Sequence, residues 1–219
     1  MPSPSDAEQQ RAAQIVAELK RMYPDARCAL NFTSPLELLV GTILAAQCTD
    51  ERVNAVTATL FKKYPTAADY ARATQEEMEA DVKPTGFYRN KAKNLRAMAQ
   101  ILVERYGSAV PRTMAELVAL PGAARKTANV VLGNAYGIVE GVVVDAHMLR
   151  IAKRLGWTTS EDPLVVERDV MALLPQSEWV HVSHLMQYHG RAICQARKPL
   201  CASCGIASLC PTGQAELAG

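Results

Sequence analysis

Four cysteines near the end of the chain constrain its fold more than any other feature of the sequence. Cys194, Cys201, Cys204 and Cys210 have the spacing C-x6-C-x2-C-x5-C. Clustered thiolates are ligands for zinc and for iron–sulfur clusters, so this segment predicts a metal centre. Because all four ligands lie in one short segment, the backbone there must wrap around whatever the cysteines bind.

The spacing favours a 4Fe-4S cluster over zinc. All four ligands come from one continuous loop, whereas zinc sites more often combine two separated pairs. Pro199 and Pro211 flank the ligands, as prolines often do in cluster-binding segments. Zinc remains the alternative on spacing alone, and disulfides are the least expected because intracellular cysteines are usually reduced. Cys28 and Cys48 lie in apolar sequence and are predicted to be buried small hydrophobic residues.

The composition is that of an ordinary globular protein. Of the 219 residues, 49% are hydrophobic and 21% are charged, which excludes disordered and fibrous classes. The first residues lack the basic and apolar regions of a secretory signal. The longest apolar stretches, Leu38–Thr49 and Thr127–Val139, are too short to span a bilayer. We therefore expect a soluble, monomeric cytoplasmic protein without a membrane partner, associated with the nucleoid if the source is bacterial.

The net charge of +2 covers an uneven distribution of charged residues. Acidic residues gather at Glu76–Asp81 and Glu161–Asp169. This pattern predicts one basic face and one acidic face, and solvated helix surfaces are the alternative. The segment between Val82 and Val103 contains five basic residues and no acidic one: Lys83, Arg89, Lys91, Lys93 and Arg96.

Nearly every segment has the hydrophobic period of a helix, so the predicted fold class is all-α. Asp50, Thr113 and Asp145 are predicted N-caps. Only Gly141–Val144 resembles a strand, and four residues cannot build a sheet. The predicted helices are Ala7–Met22, Leu36–Gln47 (nearly all apolar and therefore central), Glu51–Lys63, Ala67–Ala73, Gln75–Val82, Asn90–Tyr106, Met114–Ala119, Arg125–Tyr136, Ala146–Leu155, Leu164–Leu174 and Glu178–Ile193.

The segment Ala115–Val131, AELVALPGAARKTANVV, predicts two helices joined by a tight Leu120-Pro121-Gly122 turn. Such a turn leaves amide N–H groups unpaired at the start of the second helix. With the helix dipole, these amides suit a DNA phosphate. A simple corner between two helices is the alternative.

The chain contains, in order, the segments Asn31–Asn54, Gly86–Leu95, LPGAARKTANVVLGNAYG, VVVDAH and the cysteine loop. Together these five segments resemble the endonuclease III family of DNA glycosylases. The resemblance implies a two-lobed all-α fold, with a six-helix domain at 31–139 and an iron–sulfur cluster domain formed by 1–30 and 140–219. It places a helix–hairpin–helix at about 113–136. It also implies a 4Fe-4S cluster and excision of oxidised pyrimidines from double-stranded DNA, with cleavage at abasic sites.

Two residues match the family's catalytic pair. Lys126 matches the nucleophile, whose amine attacks C1′ and forms a Schiff base. Partial burial and the neighbouring Arg125 would favour its neutral form, and a phosphate contact is its alternative role. Asp145 matches the carboxylate that stabilises positive charge at C1′, a role that is compatible with its N-cap position.

The resemblance also marks DNA contacts. Gln47 sits where the family inserts a residue into the vacated base stack, and Phe87 lies in the loop that wedges the opposite strand; a helix-terminal amide and a core aromatic are the alternatives. The remaining expected contacts are Leu120, Gly122, Ala124, Arg125, His147, Arg197 and Lys198.

Three positions depart from the family pattern. Ala124 replaces the hairpin's second glycine, and an alanine there would be strained if the site needed a positive φ. Ala146 replaces a threonine, and the loop Ile138–Val143 is longer than usual. These departures predict altered substrate range or weak activity.

Two other functions are compatible with the scaffold. The related adenine-specific mismatch glycosylase shares the hairpin, the aspartate and the cluster. It typically lacks the lysine and carries a further C-terminal domain, so Lys126 and the end at Gly219 disfavour it. A non-catalytic iron–sulfur DNA-binding protein is the other alternative.

Overall fold

The computed structural model describes residues 4–218, and within them every regular element is a helix. The predicted all-α class is confirmed. The α-helices in this part of the chain are α1 Asp6–Met22, α2 Pro35–Leu44, α3 Asp50–Lys63, α4 Ala67–Arg72, α5 Gln75–Val82, α6 Tyr88–Tyr106, α7 Met114–Val118, α8 Arg125–Val131, α9 Ala146–Arg154, α10 Pro163–Leu173, α11 Trp179–Ala192 and α12 Pro211–Ala218.

The chain divides into two compact units. One comprises Cys28–Glu140 and contains α2–α8; we call it the hairpin unit. The other combines residues 4–27 with residues 141–218 and contains α1 and α9–α12; we call it the cysteine unit.

The hairpin unit is built around α2. Leu38, Leu39, Val40 and Leu44 are fully buried, as the apolar sequence of this helix predicts. Around it pack α3, α6 and α8. Fully burying one such side chain stabilises a fold by about 1.5–3 kcal/mol, so the apolar residues of α2 contribute substantially to the stability of this unit.

The cysteine unit has a core of its own. Helix α1 contributes Ala12, Ile15 and Leu19, all at 0% exposure, and packs against α10 and α11. Helix α9 packs against α11 as well, with Met148 and Ile151 buried. This core brings the N-terminal helix together with the segment that carries the four cysteines.

Several local predictions are wrong at the element ends. The N-cap of α3 is Thr49, whose Oγ1 accepts a hydrogen bond from the Arg52 N–H at 3.3 Å, so Asp50 is the first helical residue. Helix α8 ends at Val131 and continues as the π-helical turn Leu132–Tyr136. Cys28 and Cys48 are half-buried rather than buried.

The strand-like segment builds no sheet, as expected, whereas the C-terminus differs from the prediction. Gly141–Val144 forms no strand; instead the Val143 N–H donates to Ser183 Oγ at 3.0 Å. Helix α12 begins at Pro211, a residue that is favoured in the first turn of a helix because it needs no amide partner there. No helix is predicted there, because Pro211 also fits the cysteine motif. No helix within residues 4–218 is long and apolar enough to cross a membrane.

Candidate functional site

The helix–hairpin–helix forms as predicted, from α7, a tight turn and α8. Thr113 caps α7 by accepting the Glu116 N–H at 3.3 Å. Gly122 has a φ of 80°, and a Cβ there would lie 3.1 Å from Asn94 Cβ and 3.3 Å from Ile43 Cγ2. A glycine is therefore required both by the backbone conformation and by the close packing of the turn.

Ala124 does not strain the hairpin. Its φ is −88°, so the concern about a positive φ is wrong. It is the N-cap of α8 and provides no side-chain hydrogen bond to the helix. The first amides of α8 therefore have no side-chain cap from Ala124, which leaves room for an external anion.

Lys126 lies in the first turn of α8 and is exposed. The expectation of a partly buried Lys126 is wrong, whereas Arg125 beside it is half-buried. Leu120, in the turn, is only 3% exposed. Its side chain belongs to the core of the hairpin unit, so only its backbone is available to DNA.

Gln47 and Phe87 come together in the hairpin unit. Both are exposed, and Phe87 has 64% of its surface accessible. Both hold left-handed backbone conformations, with φ values of 52° and 48°. They line one pocket together with Asn90, Asn94 and Gly122, so the structure brings the two predicted insertion residues to the same place. Sequence reasoning missed the two asparagines, although their i,i+4 spacing on α6 is visible in the sequence.

The predicted basic face is smaller than the sequence indicates. Lys91 is 4% exposed. Arg96 is half-buried and donates from Nε to the Ala73 carbonyl at 2.7 Å. Among the acidic residues assigned to the opposite face, Glu167 and Asp169 are buried at 5% and 9% exposure. The basic side chains of this segment that remain exposed are Lys83, Arg89 and Lys93.

Asp145 caps α9 in the cysteine unit, as predicted. Its Oδ1 accepts hydrogen bonds from the His147 N–H at 2.9 Å and the Met148 N–H at 2.8 Å. Within residues 4–218 its Oδ2 has no hydrogen-bond partner. One carboxylate oxygen is thus fixed while the other can face a substrate. Ala146, which replaces the threonine, is the exposed first residue of α9.

Two arginines of α9 bind the start of the cysteine loop, and sequence reasoning missed this role. Arg150 Nε donates to the Cys194 carbonyl at 3.1 Å, and its Nη2 lies 3.1 Å from His147 Nδ1. Arg154 Nη1 donates to Cys194 Sγ at 3.1 Å and to the Gln195 carbonyl at 2.7 Å. His147 is therefore engaged within its own unit.

All four C-terminal cysteines line one cavity, with about 350 Å³ of space between atoms, part of it open to solvent. None of the six cysteines forms a disulfide. No three His, Cys, Asp or Glu side chains within residues 4–218 are grouped to hold a single metal ion. The four cysteines that line the cavity offer sulfur donors, which are ligands of iron–sulfur clusters as well as of zinc.

The surroundings of the cavity affect its thiols. Burial first, and then neighbouring charged groups that include the other cysteines, raise the pKa of Cys201 and of Cys204. His189 Nε2 lies 3.7 Å from Cys204 Sγ. Burial lowers the pKa of His189 to about 4. Arg197 and Lys198, between the first two cysteines, are exposed.

Several known proteins are similar to this chain in sequence and in fold. A sequence profile described as "HhH-GPD superfamily base excision DNA repair protein" matches residues 40–176. The chain is 52% identical over 210 residues to the endonuclease III of Synechocystis sp., with 96% of each chain covered. A non-covalent endonuclease III–DNA complex has a TM-score of 0.91 at 42% identity, covering 96% of this chain and 99% of that one.

A second solved structure is a trapped endonuclease III–DNA covalent intermediate, described as an estranged-adenine complex. It has a TM-score of 0.90 at 42% identity, and covers 95% of this chain and 98% of that one. The profile and the relatives together extend over most of the sequence and over both units. The chain therefore belongs to the endonuclease III family of helix–hairpin–helix base-excision repair enzymes, which are DNA N-glycosylases with AP lyase activity.

Proposed function

We propose that Lys126 and Asp145 are the catalytic residues of this enzyme and that its substrates are oxidised pyrimidines in double-stranded DNA. The observation that carries the proposal is the position of Lys126. It is an exposed primary amine in the first turn of α8, directly after a glycine hairpin whose N-cap leaves the helix start uncapped. A phosphate held by the hairpin would bring the adjoining sugar within reach of this amine.

The amine supplies both steps of the chemistry. Lys126 Nζ attacks C1′, the bond from C1′ to the base breaks, and the base leaves with a proton. Opening of the sugar then gives a Schiff base between Nζ and C1′. Loss of a C2′ proton expels the 3′ phosphate and cuts the strand, after which water releases Lys126.

Asp145 is suited to stabilise the positive charge that develops at C1′ in the first step. The two amides that bind Oδ1 fix the carboxylate, and Oδ2 is left to face the sugar or to accept a proton. A carboxylate that is held in place before the reaction stabilises the transition state without the cost of reorganisation.

Gln47 and Phe87 are suited to base extrusion. An enzyme that acts on a stacked base must move it out of the duplex and fill the space it leaves. Both side chains are exposed and line one pocket. We assign Gln47 to the vacated stack and Phe87 to the opposite strand. Gly122, Ala124, Arg125 and the backbone of Leu120 would bind phosphate at the hairpin.

The cysteine cavity is suited to a 4Fe-4S cluster held by Cys194, Cys201, Cys204 and Cys210. Such a cluster supplies fixed Fe–S bonds that shape the loop, and the proposed reaction needs no electron from it. With the loop held, the exposed Arg197 and Lys198 can bind phosphate. We also assign His147 to DNA binding. It lies two positions after Asp145 and contacts Arg150.

Borohydride trapping tests the catalytic assignment. Wild-type protein and duplex DNA containing thymine glycol should give a covalent adduct and a cut strand. Lys126→Arg keeps the positive charge at the hairpin but stays protonated, so it should bind the same DNA and give no adduct. Asp145→Asn keeps an N-cap oxygen and removes the charge, so base removal should slow by roughly 100-fold or more.

Three outcomes would contradict the proposal. An adduct that persists in Lys126→Arg would identify another nucleophile. Tight binding by the wild type with neither adduct nor cleavage would favour a non-catalytic DNA-binding protein. Activity on adenine mismatches rather than on thymine glycol would favour the mismatch glycosylase.

Iron and sulfide content tests the cluster independently of activity. Purified protein should be brown and contain about four iron atoms per chain. Colourless protein with a single zinc ion would contradict the assignment.

A further inference from the structure

Lys91 is a buried lysine that the proposed chemistry does not use. Only 4% of it is exposed, although Arg89 and Lys93, on the same helix α6, are exposed. Burying an amine costs free energy unless its N–H groups find partners. Its contacts must therefore offset that cost.

The partners of Lys91 are two backbone carbonyls from separate parts of the hairpin unit. Nζ donates to the Leu44 carbonyl and to the Thr85 carbonyl, each at 2.8 Å. Leu44 is the last residue of α2, and Thr85 ends the 3₁₀ turn Lys83–Thr85. Carbonyls at helix ends lack partners within the helix and attract a positive charge. The contacts of Lys91 therefore fix two chain segments to each other.

Each of the two segments that hydrogen-bond to Lys91 leads directly to one of the predicted insertion residues. Gln47 follows Leu44 by three positions, and Phe87 follows Thr85 by two. Both residues have left-handed backbones that non-glycine residues adopt only when the surrounding structure holds them. Lys91 itself lines the pocket where Gln47 and Phe87 meet.

We propose that Lys91 is a positioning residue for base extrusion: by tying the end of α2 to the turn before α6, it sets the relative placement of Gln47 and Phe87. This inference rests on the proposed function of those two residues. Burial lowers the pKa of Lys91, and a neutral amine would still have the two N–H groups that the carbonyls need. Both hydrogen bonds of Lys91 are therefore maintained in either protonation state.

The test compares two DNA substrates with three variants. Lys91→Met removes both hydrogen bonds at similar length, Lys91→Gln keeps one amide group that can donate, and Lys93→Met removes an exposed charge from the same helix. The first substrate is a duplex with thymine glycol beside 2-aminopurine, whose fluorescence reports unstacking. The second is a single strand with an abasic site, which has no stack to fill and still requires Lys126 for strand cleavage.

Lys91→Met should reduce base excision and the 2-aminopurine signal on the duplex by roughly 10- to 100-fold, as expected for misplaced side chains. Strand cleavage and borohydride trapping on the single strand should stay within about twofold of wild type, because Lys126 itself is not displaced. The excision rate of Lys91→Gln should lie between those of the wild type and Lys91→Met. Lys93→Met should show only the effect of one lost charge, on each substrate. Amide hydrogen exchange should quicken at residues 45–49 and 83–88 before it does elsewhere.

Two results would overturn the inference. One is that Lys91→Met excises the base from the duplex at the wild-type rate. The other is that Lys91→Met loses activity equally on the duplex and on the single strand. Should Lys91→Met fail to fold, Lys91→Gln decides by the same comparison. Absence of any Lys126 adduct in the wild type would instead overturn the proposed function, so the two failures are distinguishable.

Discussion

Gln47 combines an unfavourable backbone conformation with an exposed side chain. Its φ of 52° brings Cβ close to the following carbonyl, and glycine would avoid that contact. A non-glycine residue at such a position is more often explained by function than by stability.

We predict that Gln47→Gly changes stability and activity in opposite directions. Loss of the strain should raise the free energy of unfolding by up to about 1 kcal/mol, and loss of the side chain should slow base excision on a duplex by roughly tenfold or more. Gln47→Ala, which keeps the strain and loses the amide, is the matched control. Urea denaturation and single-turnover excision measure the two effects. A less stable Gln47→Gly would contradict the strain argument.

The sequence predicts some site residues and misses others, and the two groups differ in how far along the chain their interaction partners lie. Lys126 and Asp145 are predicted from the resemblance to the family, and the four cysteines are predicted as ligands from their spacing along the chain. Lys91 was predicted to belong to a basic face because its partner Leu44 is 47 positions away. The role of Arg154 is missed for the same reason, since its partner Cys194 is 40 positions away. Burial of a basic side chain depends on carbonyls that only the tertiary structure brings to it.

Helix α8 shows how one N-cap residue can favour either stability or anion binding. Ala124 leaves the start of α8 without a side-chain cap. We predict that Ala124→Ser, whose hydroxyl accepts an amide N–H, stabilises the protein by about 1 kcal/mol. The same hydroxyl competes with phosphate, so DNA affinity should fall severalfold. Thermal denaturation and binding to abasic-site DNA measure the two effects.

Ala124→Gly is the control for this element. It restores the family's glycine without adding a cap, and because φ is −88° it relieves no strain. Its DNA affinity should therefore stay within about twofold of wild type. Its stability should rise by less than that of Ala124→Ser, because glycine is a better N-cap residue than alanine but a weaker one than serine. Stronger DNA binding by Ala124→Ser than by wild type would contradict the competition between cap and phosphate.

At the level of helices, prediction succeeded where local signals suffice. Gln75–Val82 has the predicted bounds, and Thr113 and Asp145 are the caps that their side chains predict. It failed where the end of an element depends on packing, as at the π-helical turn Leu132–Tyr136. Backbone geometry of that kind has no residue signature.

For the whole molecule, net charge is a poor guide to DNA binding. The chain has 24 basic and 22 acidic residues, yet Lys91, Glu167 and Asp169 are buried. In the function proposed above, affinity arises from local contacts such as the hairpin amides and the exposed side chains Arg197 and Lys198. The protein can therefore bind a polyanion although its total charge is close to zero.

Protonation of the half-buried His184 should lower the stability of the protein in acid. Burial, with a smaller contribution from His181, lowers the pKa of His184 to about 4. Below pH 6.5 the unfolded chain takes up a proton at this position while the folded protein does not until about pH 4. The free energy of unfolding should therefore fall as the pH decreases through this window, by up to about 1.4 kcal/mol per pH unit for such a histidine.

His184→Gln removes this titration. Urea denaturation of wild type and variant at pH 7.5 measures the packing cost of the substitution alone, since both proteins are then neutral at position 184. Between pH 6.5 and pH 4.5 the wild type should lose about 2 kcal/mol more than the variant, because only the wild-type chain gains a proton there on unfolding. Parallel pH profiles would contradict a neutral His184 in the folded protein, and a steeper decline in the variant would reverse the sign of the linkage.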